Sequence, residues 1–131
     1  MPERSARTVL AFDFGLKRIG VAVGEPELGT AHPLPAIAAP GFESIGKLVA
    51  EWRPAQLVVG LPVAEQGEHA LAKRVERFAR QLEGRFHLPV KRVDERFTSV
   101  EAESRLRGSK RKSVDSVAAQ LILEQYFDQA A

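Results

Sequence analysis

The first third of the chain alternates short apolar runs with turn residues, a pattern typical of neighbouring β-strands. Residues 8–14 form one apolar run, and residues 19–24 form a second after a short connection that favours a hairpin. Residues 30–38 are a third candidate strand, in which Pro33 and Pro35 remove hydrogen-bond donors. We therefore expect three antiparallel strands, with the third at an edge or irregular.

Helical and extended patterns alternate over the middle of the chain. Apolar residues recur at helical spacing over 42–53 and 67–84. Pro54 is expected to stop the first of these helices, and Gly84 is expected to cap the second. Two further β-rich runs lie at 56–62 and 90–95.

Two more helices are predicted near the end of the chain. Thr98 and Glu101 form a capping box that opens a helix to about residue 106, and Ser113 can cap a last helix. The predicted order is β-β-β-α-β-α-β-α-α. It indicates an α/β fold with one five-stranded mixed sheet, helices on both faces and a single domain over residues 1–131.

Composition limits the class of protein. The chain has 131 residues, of which 44% are hydrophobic and 27% charged, as in a globular domain with one core. It has no cysteine, which excludes disulfides and thiol nucleophiles, and its histidines lack zinc-ligand spacing. The start of the chain lacks an apolar signal core, so we expect a cytoplasmic protein with no membrane partner.

Charge is informative in its distribution. The net charge of +2 is weak support for a polyanionic partner. Within residues 105–112, however, there are five basic residues and no acid: Arg105, Arg107, Lys110, Arg111 and Lys112. This segment is either a solvated loop or a loop that contacts phosphates.

Three acidic residues stand out because they lie in or beside apolar patterns. Asp13 shares a strand face with Val9 and Ala11, Glu95 ends the fifth predicted strand, and Asp115 lies in the first turn of the last predicted helix. A buried carboxylate is costly unless it is paired or binds a cation. Either the three acids converge on a hard cation such as Mg²⁺ or Mn²⁺, or each has a separate structural role.

Four sequence blocks together resemble a known family. They are FDFGLKRIGVAVG at 12–24, VVGLPV at 58–63, VDERFTSVEAE at 93–103 and KSVDSVAAQLILEQYF at 112–127. In this order and spacing they resemble the YqgF family, also called RuvX, which is associated with pre-16S rRNA cleavage. The family is similar to the RuvC Holliday-junction resolvases. The resemblance covers nearly the whole chain and implies a ribonuclease-H-like fold.

The resemblance also implies an active site. The family's acidic positions fall on Asp13, Glu95 and Asp115, which would be catalytic and would hold two divalent ions, Mg²⁺ or Mn²⁺, for phosphodiester cleavage. Asp94 ranks below Glu95, because consecutive strand residues point to opposite faces. Two features depart from the pattern. Ala118 stands where related nucleases often have a fourth acid, and the loop at 64–70 lacks an Asn and an Asp of the family motif.

Basic residues near the predicted acids are candidates to contact substrate phosphates. Lys112, three residues before Asp115, is the strongest of these, and Thr98 is also a predicted helix cap. The predicted nucleic-acid-binding residues are Lys17, Arg18, Arg96, Thr98, Lys110, Arg111 and Lys112. The basic residues of the second predicted helix alternate with acids and are interpreted as a solvated face: Lys73, Arg74, Arg77 and Arg80.

The sequence suggests three candidate functions. The first is a metal-dependent endonuclease that acts on structured nucleic acid, either at the 5′ end of pre-16S rRNA or at a Holliday junction, where a homodimer is expected. The second is a non-catalytic module that binds nucleic acid with the same fold. The third, an ATP-binding domain of the actin type, begins with a similar hairpin but needs a second domain. A chain of 131 residues has no room for one, so no nucleotide cofactor is expected.

Overall fold

The structure, a computed structural model, describes residues 7–62, 69–95 and 114–130. At its centre is a sheet of five strands, which are β1 Val9–Asp13, β2 Arg18–Glu25, β3 Thr30–Ala38, β4 Gln56–Pro62 and β5 Val90–Glu95. Their order across the sheet is β3-β2-β1-β4-β5. Three helices of the described residues accompany the sheet, namely α1 Phe42–Trp52, α2 His69–Phe86 and α3 Val114–Ala130.

The strand directions confirm the predicted mixed sheet. β1 pairs antiparallel with β2, and β2 with β3, whereas β4 is parallel to β1 and to β5. β3 lies at the edge, where proline is tolerated because the missing donor breaks no central ladder. The β2–β3 register shifts between Ile19 and Val21, so the third strand is both irregular and at the edge of the sheet, as predicted.

The end of α1 is as predicted. Arg53 has a left-handed backbone with φ of 47°, and its N–H donates to the carbonyl of Val49. Pro54 follows directly and cannot continue the helix, because its ring removes the donor and clashes with the preceding turn.

The predicted cap of α2 at Gly84 is wrong. The helix continues to Phe86, and the left-handed residue is His87, with φ of 56°. The His87 N–H donates to the Glu83 carbonyl at 2.9 Å and so closes the last turn. A Cβ atom at Gly84 would meet nothing within 4 Å, so no steric need selects glycine there.

Strand alternation separates two apolar layers, one on each face of the sheet. Helices α1 and α2 cover the face that carries Leu10, Phe12, Val21, Leu57 and Val59. Helix α3 covers the other face, which carries Val9, Ala11, Ala22, Val58 and Val93. The prediction of helices on both faces is thereby confirmed.

Several predictions fall outside the described residues. These are the helix over 98–106, the Ser113 cap, the basic segment 105–112 and most of the loop at 64–70. Among the described residues, no helix is both long enough and apolar enough to cross a membrane.

Candidate active site at the carboxyl edge of the sheet

Strands β1, β4 and β5 run in the same direction and end at the same side of the sheet, which we call the carboxyl edge. Asp13 is the last residue of β1, and Glu95 is the last residue of β5. In register, Phe12 is level with Val59, and Pro62 is level with Glu95. One strand, β4, lies between Asp13 on β1 and Glu95 on β5. Along the strand direction, Glu95 lies two residues beyond the level of Asp13. Strand geometry separates their Cα atoms by roughly 12 Å.

Asp13 lies between the buried core and solvent. It is half-buried, it pairs with Gly20 of β2, and it follows the fully buried Val9 and Ala11 on the face that α3 covers. The apolar residues below it remove water from one side of the carboxylate. A half-buried carboxylate in such a position is costly unless a cation or a hydrogen-bond donor meets it.

Helix α3 begins at the carboxyl edge. The Ser116 hydroxyl donates to the carbonyl of Leu34 at 2.6 Å and lies 3.5 Å from the N–H of Val21. Val21 is the neighbour of Gly20, the strand partner of Asp13. The first turn of α3, which contains Asp115, is therefore fixed against β2 and β3 close to the level of Asp13.

The far end of α3 confirms its direction. Phe127 packs in the same apolar layer as Val9 and Ala31, and a Cβ at Gly24 would lie 3.0 Å from its ring. Gly24 pairs with Val9, the first residue of β1. The helix thus runs from the carboxyl edge to the opposite edge. Along the way, the Gln120 amide donates to the carbonyl of Ala31 at 3.1 Å.

The structure describes Glu95 and Asp115 by their backbones alone. Among the side chains that it does describe, no three His, Cys, Asp or Glu residues are grouped as a metal site. The predicted contacts at Arg96, Thr98, Lys110, Arg111 and Lys112 lie outside the described residues.

The two described basic residues of the predicted set, Lys17 and Arg18, lie at the carboxyl edge. Both are exposed. The carbonyl of Lys17 accepts a hydrogen bond from Ala39 at 3.0 Å, and Arg18 pairs with Ala38. The turn before them is tight, because a Cβ at Gly15 would collide with the Arg18 carbonyl. Glycine at 15 thus serves the β1–β2 hairpin and holds both cations beside the end of β1.

The structure shows the surroundings of two further positions, Ala118 and Asp94. Ala118, at the position of a possible fourth acid, is 4% exposed and packs with Val117 and Leu121. Asp94 is exposed, whereas Val93 is buried on the α3 face. The Asp94 carbonyl accepts a hydrogen bond from the Gln125 amide at 3.0 Å, which ties β5 to α3.

The sequence analysis did not identify Ser116 or Arg92 as structural residues of this region. Arg92 of β5 binds Glu76 at 2.8 Å and Glu83 at 2.9 Å, both on α2. The hydrogen bond from Arg92 lowers the pKa of Glu76, and the two carboxylates raise the pKa of Arg92. These ion pairs hold β5 against α2 and so position the strand that ends in Glu95. The sequence held one sign of this role. In the run VKRVDE, Arg92 falls on the same strand face as the apolar Val90, where an arginine is unusual unless it is paired.

The fold defines the class of protein. A sheet of order β3-β2-β1-β4-β5 with three antiparallel strands, covered by helices on both faces, is a ribonuclease-H-like domain. The same fold occurs in T. thermophilus RuvC in complex with Holliday junction substrate, which is 16% identical with a TM-score of 0.62 over 95% of each chain. It also occurs in the Fowlpox virus resolvase complex with Holliday junction DNA, which is 11% identical with a TM-score of 0.57 over 94% of this chain and 98% of that one.

Residues 7–129 match the RuvX family, described as Holliday junction resolvase, and the chain belongs to this family. A relative from Methylobacillus flagellatus is 54% identical over 98% of this chain and 97% of its own. One from Dechloromonas aromatica is 53% identical over 92% and 90%. Both bear the name "Putative pre-16S rRNA nuclease". The predictions of the family, of its fold and of a nuclease are confirmed.

Proposed function

We propose that this chain is a divalent-metal-dependent endonuclease that hydrolyses phosphodiester bonds in structured nucleic acid. The observation that carries the proposal is the meeting of three acid-bearing elements at the carboxyl edge. β1 ends there with Asp13, β5 ends there with Glu95, and α3 begins there with Asp115. These three elements bring residues distant in sequence to one edge of the sheet, the edge at which open α/β sheets carry their ligand sites.

The donor set fits hard divalent ions. Carboxylate oxygens select Mg²⁺ or Mn²⁺ over softer metals. Two such ions, with one ligand oxygen on each outer side, span about 8 Å. The backbone separation of roughly 12 Å between Asp13 and Glu95 leaves about 4 Å for the two side chains to cover together, which is within their length. Asp115 would complete the site from the helix side.

Bound ions would activate water and stabilise the charge that develops on the leaving oxygen. The chain's own residues would do the rest. Asp13 would hold its ion against the apolar floor formed by Val9 and Ala11. Lys17 and Arg18 would bind the phosphates on either side of the scissile bond. Arg96, Thr98, Lys110, Arg111 and Lys112 would extend this phosphate-binding surface, with Lys112 nearest to Asp115 in sequence.

Pre-16S rRNA is the substrate favoured by the relatives' name, since identity above 50% extends over nearly the whole chain. We infer that the protein trims precursor rRNA near its 5′ end and acts in the cytoplasm, where ribosomes are assembled in bacteria. A Holliday junction is the second substrate. Its two-fold symmetry would require two active sites and therefore a homodimer. A protein that sediments as a monomer both alone and with a four-way junction would exclude the junction as its substrate.

One assay tests the proposal. The protein is incubated with precursor rRNA and with a four-way DNA junction, each in EDTA, Mg²⁺ or Mn²⁺. Asp13→Asn is compared with Asp128→Asn, which makes the same change at an exposed position near the end of α3. Cleavage that needs metal, and that falls by about 100-fold or more in Asp13→Asn alone, supports the proposal.

Other outcomes count against it. Cleavage that survives both EDTA and Asp13→Asn would exclude the metal-bound site. Binding of either substrate with no cleavage under any metal condition would instead favour the non-catalytic nucleic-acid-binding module.

Unchanged melting temperatures of both variants would show that the comparison reports on chemistry rather than on folding.

A further inference from the structure

An open cavity of about 340 Å³ lies on the sheet face opposite to α3, between the start of α1 and the side of α2. Its lining combines aromatic rings with cations and includes Phe14, Phe42, Phe78, Arg74, Arg77 and Gln81. The volume is in the range of small-molecule and nucleotide sites. The family resemblance assigns no role to this cavity.

The aromatic rings that line the cavity pack against one another. The ring of Phe78 lies 5.0 Å from that of Phe14 and 5.8 Å from that of Phe42. Phe12, fully buried beneath them, meets Phe78 edge-on at 6.3 Å. The guanidinium carbon of Arg85 also lies over the ring of Phe42 on α1, 4.2 Å from the ring centroid. These contacts hold Phe14 and Phe42 in place before any ligand arrives, which reduces the entropy lost on binding.

The charges of α2 are separated between two sides of the helix. Arg74, Arg77 and Gln81 follow helical spacing on the cavity side, where the described lining contains no acid. Glu76 and Glu83 point the other way and are bound to Arg92 of β5. The sequence predicts this side of the helix to be solvated, whereas the structure shows it presenting two cations to the cavity, with no carboxylate among the described lining residues.

The cavity is adjacent to the candidate active site. Phe14 directly follows Asp13, so their Cα atoms are about 3.8 Å apart. Strand alternation turns Asp13 toward α3 and Phe14 toward α2. A nucleic-acid strand that crosses the carboxyl edge with one phosphate at Asp13 would carry a neighbouring nucleotide over Phe14.

We propose that this cavity binds one unpaired nucleotide of the substrate next to the scissile bond. Its base packs on the Phe14 and Phe42 wall, and its phosphate is bound by Arg74 and Arg77. Aromatic rings accept any base, and arginine forks match phosphate oxygens. A base inside a duplex is stacked and paired and cannot enter. The inference rests on the proposed nuclease function and adds that cleavage occurs beside single-stranded rather than fully paired nucleic acid.

Binding without cleavage tests the proposal. A fluorescein-labelled single-stranded RNA of about 12 nucleotides is titrated in EDTA and followed by anisotropy, beside the same RNA annealed to its complement. The variants are Phe14→Leu and the double variant Arg74→Gln with Arg77→Gln. The matched control is Lys47→Gln with Lys73→Gln, which removes two exposed charges that do not line the cavity.

The expected results are specific to the single strand. Phe14→Leu weakens its binding by about fivefold or more, as for the loss of one stacked base. The arginine double variant weakens it by about tenfold and lowers the salt-dependence slope by about 0.7, because one phosphate is no longer neutralised by the protein. The control changes affinity by less than about twofold. A 5-iodouridine in the RNA is expected to crosslink to the segment that contains Phe14 or Phe42.

The proposal is overturned if the control weakens binding as much as the arginine variant, or if the duplex binds as tightly as the single strand and is equally affected. Crosslinks that map only outside the cavity also overturn it. Because both arginines are exposed, their loss leaves the fold intact even if Phe14→Leu perturbs it. A wild-type protein that cleaves with metal while the variants bind normally refutes the cavity alone. Variants that lose binding while the wild type never cleaves refute the proposed nuclease alone.

Discussion

The hydroxyl of Ser116 on α3 donates to the carbonyl of Leu34 on β3 at 2.6 Å, although 82 residues separate them. Leu34 is the strand partner of Val21, and the register of β2 and β3 shifts just before that pair. The Ser116 oxygen also lies 3.5 Å from the Val21 N–H, so it is inserted at the irregular point of the ladder. A β-bulge thus provides the anchor for the helix that carries Asp115.

Ser116→Ala is expected to lower the free energy of unfolding by about 1–3 kcal/mol, because the partly buried carbonyl of Leu34 loses its partner. The first turn of α3 also loses its anchor, so nuclease activity should fall by more than the loss of folded protein explains. Thermal unfolding and cleavage rates, compared with Ser44→Ala on α1, measure both effects. A stability loss no larger than that of Ser44→Ala would mean that apolar packing alone holds the helix.

The strands could be predicted from sequence because their signals are local. The apolar run that ends at Asp13 and the turn at Gly15 define β1 and the hairpin without knowledge of the rest of the chain. The prolines of β3 predict its edge position for the same reason. The prediction of Gly84 as a cap failed because the left-handed position, His87, depends on where the helix meets the next strand.

The residues that the sequence analysis did not identify are those whose role is created by tertiary packing. Ser116 becomes an anchor only where the bulge beside Val21 exposes ladder groups to it. Arg92 becomes a link between β5 and α2 only because the strand packs beside Glu76 and Glu83. Their sequence neighbours do not reveal these tertiary partners, since Ser116 lies between Asp115 and Val117 and Arg92 lies between Lys91 and Val93. The three acids could be predicted as site residues because their apolar surroundings and their family motifs are both readable from the sequence.

Gly15→Ala is expected to destabilise the β1–β2 hairpin. The new Cβ would collide with the backbone carbonyl of Arg18, which cannot move without shifting the strand. We expect the free energy of unfolding to fall by about 1–3 kcal/mol, the usual cost of adding a carbon atom where the space is already filled. Gly84→Ala is the matched control, since its Cβ meets nothing and alanine favours helix. Chemical denaturation of both variants measures the difference. Equal stability of the two would show that the turn has other conformations available.

Asp115→Ala is expected to change the free energy of unfolding in metal-free buffer by less than about 1 kcal/mol, or to raise it. If the three acids share one site, removing one charge relieves repulsion between the others. In Mg²⁺ the wild type should be clearly the more stable of the two, because the ion stabilises the wild type more than the variant. Melting curves with EDTA and with Mg²⁺ measure both. A large loss of melting temperature in EDTA would make Asp115 a structural residue.

The ion pairs between β5 and α2 should make the protein sensitive to acid. Arg92 donates to both oxygens of Glu76 and to one of Glu83, and these contacts are only partly exposed. Its hydrogen bonds favour the ionised form of Glu76 and lower the pKa of that carboxyl from 4.5. A weaker contact from Arg80, at 3.4 Å, acts in the same direction.

The sign of the pH dependence follows from that lowered pKa. Glu76 contributes its full stabilisation above about pH 4.5, and the contribution is lost as the pH falls through the lower pKa of the folded state. Glu76→Gln should therefore be less stable than the wild type at pH 7, and the two should converge as the pH falls toward 3. Denaturation midpoints across this range measure the effect, with Glu51→Gln, at an exposed position of α1, as the control. Curves for wild type and Glu76→Gln that stay parallel would show that the Arg92 contact adds no stability, because partial exposure to solvent screens it.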